Sequence, residues 1–327
     1  MRTARPAPMT SGRAARSGSS AATSIRTRPA SANRSIPREL LAVWFLFAIT
    51  AIAIFVTYAR LPARELYNVT GSGLEGGASR VLVFLNFPTA LVAIAIVALS
   101  FERLPDRAWR AAAIVAVVLC AAIFWPGIVN QDDLDARPVN AICAAGVALA
   151  LAITVAARGA VWQRSRLGDR LRIAISVVLL LLSPPWIAAE LGFFLNRVPL
   201  LGRIYFSGQF RRELPGLPQF AAAVHHGDHH GLNGVLLVST ALLLSRLLPS
   251  IGRTGLRLVT AAYLALLFGY GVGNIANDFW LEQVVKRGWT SWLVPSVLQP
   301  HIGWGWTVVI VEACVIWAAW FSRETSA

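Results

Sequence analysis

Four histidines lie close together in this sequence: His225, His226, His229 and His230. If the segment is helical, His225 and His229 are one turn apart, and so are His226 and His230, because residues four apart share a helix face. Imidazole nitrogens bind zinc, copper, iron and nickel, and two such pairs could converge on one ion. The spacing therefore predicts a metal site. An exposed run of histidines without a ligand is the alternative, and a glycine-rich break would leave the histidines in a loop.

The pattern His226-x-x-His229-His230 resembles the HxxHH box of membrane fatty-acid desaturases. The spacing of His226 and His230 is also similar to that in zinc-dependent membrane hydrolases related to alkaline ceramidases. The desaturases hold two irons with several such boxes, whereas this sequence has one box and one distant histidine, His301. Other motifs of the hydrolases do not occur. The resemblance covers a handful of residues and names no family.

Asp278 belongs to a polar stripe at the end of an apolar segment. Asn274, Asp278 and Glu282 are spaced four residues apart and therefore share one helix face. A carboxylate here could bind a metal, or it could accept the proton of a histidine ring and so fix its tautomer. We therefore predict Asp278 as a metal ligand, with solvation of a helix end as the alternative.

Glu190 and Asp132 are candidate catalytic acids near the predicted outer surface of the membrane. Glu190 follows Ser183-Pro184-Pro185, whose prolines should kink the helix and hold the carboxylate near a distorted turn. Such an acid could serve as a general base or as a metal ligand. Asp132 belongs to an acidic loop that could complete a divalent-cation site or could only be solvated.

Glu312 is a third candidate catalytic acid and stands alone within an apolar segment. It follows His301 on the same helix face, at a distance of about 16 Å. An acid at mid-membrane depth is costly and is usually functional. Glu312 and His301 could form part of a proton path, which would favour transport. A protonated acid that bonds to a neighbouring helix is the structural alternative.

The composition as a whole indicates a membrane protein. Of 327 residues, 56% are hydrophobic and 14% are charged, whereas soluble domains carry about 25% charged residues. These values exclude a disordered chain, a disulfide scaffold and a typical cytosolic enzyme. The formal charge of +14 lies in short basic tracts beside apolar runs. That arrangement indicates membrane lipids, and not nucleic acid, as partners.

Apolar segments of about 20 residues predict an all-α, polytopic integral membrane helix bundle with about eight transmembrane helices. We place them at 39–59, 80–100, 109–128, 139–157, 173–193, 219–246, 258–278 and 300–321. The side of the N-terminus holds about twice as many basic residues as the other side, so we expect both termini in the cytoplasm. All five histidines then lie on the extracytoplasmic side.

We expect three parts in the chain. Residues 1–38 should form a disordered basic cytoplasmic tail, because they are too polar to bury a core. Residues 39–322 should form the transmembrane helical domain, and residues 323–327 a short cytoplasmic tail. The bias to arginine and the composition of the tail indicate a bacterial protein of the cell membrane.

Two functions from different classes fit this pattern, and a third interpretation assigns none. The first is a metal-dependent membrane enzyme, in which a zinc or iron ion activates water or oxygen against a lipid or lipid-linked substrate. The second is a proton- or metal-coupled transporter that uses Glu312 and the histidines. The third is a non-catalytic membrane protein. The crowding of ligands in one region favours the enzyme, whereas Glu312 favours transport.

Overall fold

The computed structural model describes residues 36–125, 134–157, 168–209 and 222–324. The regular secondary structure of these ranges is helical and includes no β-strand, although one isolated β-bridge pairs Leu66 with His226. The predicted all-α class is therefore confirmed for the described part of the chain. Its helices are α1 (Arg38–Arg60), α2 (Gly73–Phe84), α3 (Ala90–Ser100), α4 (Arg107–Cys120), α5 (Asn140–Ala156), α6 (Gly168–Leu182), α7 (Pro184–Glu190), α8 (Leu201–Ile204), α9 (His230–Ser245), α10 (Thr254–Trp280), α11 (Trp304–Ile316) and α12 (Ser322–Glu324).

Five stretches of helix in the described residues are long and apolar enough to cross a membrane. They are Arg38–Arg60, Gly73–Arg103, Arg107–Phe124, Thr254–Val285 and Trp304–Phe321. The 23 residues of α1 illustrate the reason, since a helix of that length extends about 35 Å. Its outward side chains are apolar, as Phe45 (70% exposed) and Ile52 (63% exposed) show. Such a surface is stable in lipid, where every backbone polar group must be satisfied within the helix.

The other apolar helices are bent or shorter than a full span. α6 and α7 meet at an angle of 59°, which confirms the kink predicted from Ser183-Pro184-Pro185, because proline cannot continue the hydrogen bonding of a helix. α5 has 17 residues and α9 has 16. The structure thus contains about five candidate spans of full length, and these three shorter or bent elements overlap the remaining predicted segments.

α9 and α10 run antiparallel and touch through glycine. A Cβ atom on Gly234 would lie 2.4 Å from the carbonyl oxygen of Gly271, and one on Gly271 would lie 2.7 Å from that of Gly234. Small residues allow helices in a bundle to approach this closely. The contact brings the start of α9 against the end of α10, and this is how His229 meets Asp278.

Candidate metal centre

The histidine segment is not helical before His230. Residues 222–229 lie outside any helix, and α9 begins at His230. Gly227 has a φ of +101°, which glycine adopts without steric cost, and its N–H donates to the carbonyl oxygen of Ala189 at 2.9 Å. A side chain at Gly227 would also collide with the hydroxyl of Tyr58. The four histidines therefore do not share one helix face, and each ring has its own surroundings.

His229 faces two acidic side chains. Its Nδ1 lies 3.2 Å from Glu282 Oε1 and 3.9 Å from Asp278 Oδ2. Its Nε2 lies 2.9 Å from the backbone carbonyl oxygen of His225, and because a carbonyl only accepts, Nε2 carries a hydrogen. All three side chains are buried, and one ligand atom of each lies within 4.8 Å of the other two.

This arrangement fits a metal ion with three protein ligands. A histidine that binds a metal through one nitrogen usually donates from the other to a carbonyl or carboxylate, which fixes the tautomer and the ring orientation. His229 has this pattern, since His225 holds Nε2 and the carboxylates face Nδ1. Imidazole and carboxylate ligands suit zinc and iron. Without an ion, the same atoms can form an ion pair between protonated His229 and Glu282.

Two hydrogen bonds orient the carboxylates. The N–H of Gly231 donates to Asp278 Oδ2 at 2.6 Å, and Nε1 of Trp186 donates to Glu282 Oε2 at 2.7 Å. The second bond leaves Glu282 Oε1 turned toward His229. The stripe predicted for this helix is therefore present, with Asp278 and Glu282 on the same side of α10 and its final π-helical turn, Leu281–Val285. Turns of this kind frequently occur at functional sites.

His225 supports His229 by stacking. The two rings lie 4.0 Å apart between centroids with an interplanar angle of 19°, and His225 also stacks on Tyr67 at 4.7 Å. Nδ1 of His225 donates to the carbonyl oxygen of His226 at 3.1 Å. Burial and the neighbouring His229 hold the pKa of His225 well below its usual range. The ring is therefore neutral near pH 7.

His226 and His230 lie outside the group that surrounds the carboxylates. His226 stacks on Phe194 at 3.9 Å, and His230 is tilted against Phe87 at 6.4 Å. Among the described residues, the ligand atoms that converge belong to His229, Asp278 and Glu282. Neither His226 nor His230 contributes an atom to this group. Within the described ranges, Nε2 of His226 and Nδ1 of His230 are buried without a hydrogen-bond partner. The structure thus brings His229 and Asp278 together and leaves these two histidines apart.

The charges around His229 favour its protonated form in the absence of an ion. Burial opposes protonation, but the carboxylates of Glu282 and Asp278 outweigh burial, so the pKa of His229 is raised. Lys286 lies in the same region, where its Nζ donates to the carbonyl oxygen of Ala223 at 2.7 Å. Burial lowers the pKa of Lys286 against the attraction of the same two carboxylates. A divalent ion would therefore replace a proton on His229.

A second polar cluster adjoins His229, and sequence reasoning does not predict it. Arg80 of α2 forms a buried ion pair with Asp228. The N–H of Asp228 donates to the Tyr58 hydroxyl at 3.1 Å, and Nδ2 of Asn233 donates to Asp228 Oδ2 at 3.4 Å. In the sequence, Arg80 stands at the border of an apolar segment, where basic residues normally lie at the membrane surface. No local spacing connects it with Asp228.

Glu190 belongs to this second cluster. It is buried at the end of α7, and neither oxygen of its carboxylate has a hydrogen-bond partner among the described residues. It interacts electrostatically with Asp228 and Arg80. Glu190 lies one helical turn after Trp186 on the same side of α7. Its charged neighbours are thus those of the second cluster and not His229, Asp278 or Glu282, and its role as base or ligand stays a prediction.

Asp132 and Glu312 are the two remaining candidate acids. Asp132 lies outside the described residues, so its role stays a prediction. Glu312 of α11 is half-buried, and in the described part of the chain it has no hydrogen-bond or ion-pair partner. It is not part of the group around His229. His301 is exposed before α11, where its Nδ1 donates to the carbonyl oxygen of Gln299 at 2.9 Å.

Comparison with known proteins assigns the chain to no family. No family model matches the chain, and no curated protein or solved structure is significantly similar to it. The function must therefore be inferred from the side chains themselves.

Proposed function

We propose that this chain is a membrane protein that binds a divalent transition metal ion, Zn²⁺ or Fe²⁺, through His229, Asp278 and Glu282. The position of His229 carries the proposal. One of its ring nitrogens faces two buried carboxylates, and a backbone carbonyl holds the other. Metal-binding histidines have this bonding pattern.

The arrangement in the membrane that we propose has eight spans, with both termini in the cytoplasm and the metal centre toward the extracytoplasmic face. The five full-length candidate spans support this arrangement, together with the bent pair α6–α7 and the shorter helices α5 and α9. The excess of basic residues on the side of the termini supports the orientation. A bacterial cell membrane is the location that the composition favours.

We infer further that the ion serves an enzyme that acts on a lipid or lipid-linked substrate. A metal with three protein ligands keeps a coordination position for water or substrate, and the bound ion supplies Lewis-acid chemistry there. Glu190 is the acid–base group that we favour, because it is buried, unpartnered in the described residues and one turn from Trp186. Asp132 is the second candidate for this role.

The metal content of the purified full-length protein tests the proposal. We expect about one equivalent of zinc or iron per chain by inductively coupled plasma mass spectrometry after exhaustive dialysis. His229→Ala and Glu282→Gln should each lose the metal. His226→Ala is the matched control, because it removes the same ring from the same loop without touching the carboxylates, and it should keep the metal.

Two results would contradict the proposal. One is a wild-type protein that binds neither metal after reconstitution. The other is full metal occupancy in a folded His229→Ala variant, which would move the ligand set elsewhere. In either case the contact between His229 and Glu282 would be a structural ion pair.

A proton- or metal-coupled transporter is the second candidate, and Glu312 is the observation that favours it. This acid is half-buried in a candidate span and has no partner in the described ranges. Metal or proton flux in proteoliposomes that Glu312→Gln abolishes, while the metal content stays unchanged, would support the transporter. Metal binding with neither turnover nor flux would support a non-catalytic role.

A further inference from the structure

An open cavity of about 300 Å³ lies at the start of α10, far from the metal centre. Its lining residues are Phe101, Glu102, Arg110, Gly252 and Arg253. α10 has 27 residues, so about 40 Å of helix separates this cavity from the carboxylates at the other end. The cavity is therefore a separate site, and its chemistry does not depend on the proposed metal.

The ends of three candidate spans meet at the cavity. Gly73–Arg103 ends beside it, and Arg107–Phe124 and Thr254–Val285 begin beside it. The ends of membrane-spanning helices lie at the depth of the lipid headgroups. The cavity thus opens where phosphate groups are concentrated, and by the basic-residue bias this is the cytoplasmic leaflet.

The single acidic side chain in the lining, Glu102, already accepts hydrogen bonds from the backbone. Glu102 accepts the N–H of Gly252 at 2.6 Å through Oε2 and the N–H of Arg253 at 2.9 Å through Oε1. Gly252 allows this approach, since a Cβ there would lie 3.3 Å from Glu102 Oε2. Both carboxylate oxygens therefore accept hydrogen bonds from the backbone. Through these bonds Glu102 holds the segment at Gly252 and Arg253 that forms one wall of the cavity.

The two arginines of the lining keep most of their hydrogen-bonding capacity. Arg253 is 72% exposed, and its Nε lies 3.9 Å from Glu102 Oε1, which is a weak contact. Among the described residues, no carboxylate pairs with Arg110. The lining thus combines two available guanidinium groups, one satisfied acid and the apolar ring of Phe101.

We propose that this cavity binds a phosphate group, supplied by an anionic lipid of the surrounding leaflet. Guanidinium groups present a fork of N–H donors that matches phosphate oxygens. Basic side chains at the cytoplasmic surface attract anionic lipids. Phe101 provides the apolar wall against which the glycerol backbone and the first acyl carbons can pack.

Native mass spectrometry of the full-length protein in detergent tests this site. The wild type is titrated with dioctanoyl phosphatidylglycerol, with dioctanoyl phosphatidylcholine and with inorganic phosphate. We expect phosphatidylglycerol to bind more tightly than phosphatidylcholine. The double variant R110Q/R253Q should weaken phosphatidylglycerol binding on the order of ten-fold. R203Q, which changes an exposed arginine of α8, is the matched control and should bind as the wild type does.

The titrations with lipid and with inorganic phosphate distinguish the source of the phosphate group. Loss of phosphatidylglycerol binding in the double variant, with no competition from inorganic phosphate, supports a lipid. Binding of inorganic phosphate that the same variant loses supports a phosphate site for a soluble ligand. Equal binding by the wild type and R110Q/R253Q overturns the proposal. R110K/R253K retains both charges and should keep part of the affinity, which separates loss of the site from loss of folding.

Discussion

The indole N–H of Trp186 donates to Glu282 Oε2 at 2.7 Å and so joins α7 to the end of α10. The bond occupies one oxygen of the carboxylate and leaves the other 3.2 Å from His229 Nδ1. Trp186, which would not contact the ion, therefore orients Glu282, which would bind it.

Trp186→Phe should weaken metal binding without abolishing it. Phenylalanine keeps an aromatic ring in the core but cannot donate to Glu282, and loss of such an outer partner typically costs about 10–100-fold in metal affinity. Competition with a chelating dye measures the Kd for zinc. Trp280→Phe is the control, since its indole donates to the carbonyl oxygen of Trp292 at 2.9 Å. An unchanged Kd in Trp186→Phe would show that Glu282 needs no such support.

Arg80→Met should lower the free energy of unfolding by about 3–5 kcal/mol, because it leaves Asp228 charged, buried and unpaired. Unfolding of the detergent-solubilised protein by dodecyl sulfate, followed by far-UV circular dichroism, measures the change. Arg80→Met combined with Asp228→Asn removes both charges and should recover a large part of the loss. If the double variant is less stable than the single one, the charge of Asp228 is not the cause.

Gly234→Ala should destabilise the protein by about 1–3 kcal/mol. The new methyl group would lie 2.4 Å from the carbonyl oxygen of Gly271, so α9 and α10 must separate or distort. Gly255→Ala is the matched control on α10, where nothing lies within 4 Å of an added Cβ, and there alanine should be neutral or slightly stabilising. The shift in Tm of the two variants compares them directly, and equal shifts would refute the close packing of the two helices.

The metal-free protein and its metal complex should respond to pH in opposite directions. The pKa of His229 is raised above 6.5, so the imidazolium contributes stability that is complete below pH 6.5 and is lost as pH rises through the folded-state pKa. Metal binding needs the neutral ring, and zinc affinity should therefore rise over the same range.

Thermal unfolding in chelator and zinc titration, each from about pH 5 to about pH 9, check the two signs. Other titratable groups surround His229, namely Glu282, Asp278, His225 and Lys286. The contribution of His229 to stability is therefore measured as the difference in stability between the wild type and His229→Gln at each pH. A difference in stability that grows with pH would contradict the expected sign.

The helical elements could be predicted from sequence because their causes are local. Hydrophobic length identifies the five full-length candidate spans, two adjacent prolines predict the bend after α6, and the spacing of Asp278 and Glu282 places both on one side of α10. Each of these inferences needs only the residues of one segment.

The composition of the candidate metal centre could not be predicted, because its causes are not local. The segment before His230 is not helical and Gly227 in it has a positive φ, so the four-residue spacing does not place the histidine rings on one helix face. Which ring meets the carboxylates then depends on the contact of α9 with α10. The pairing of Arg80 with Asp228 likewise joins residues far apart in the sequence, and no periodicity reports it.

The bend between α6 and α7 has a mechanical consequence. The chain changes direction by 59° there, and α7, a helix of seven residues, carries both Trp186 and Glu190 as buried side chains. A displacement of α7 would change the hydrogen bond from Trp186 to Glu282, and it would also move the carboxylate of Glu190 relative to Arg80. The two polar clusters of this protein therefore cannot be rearranged independently through α7.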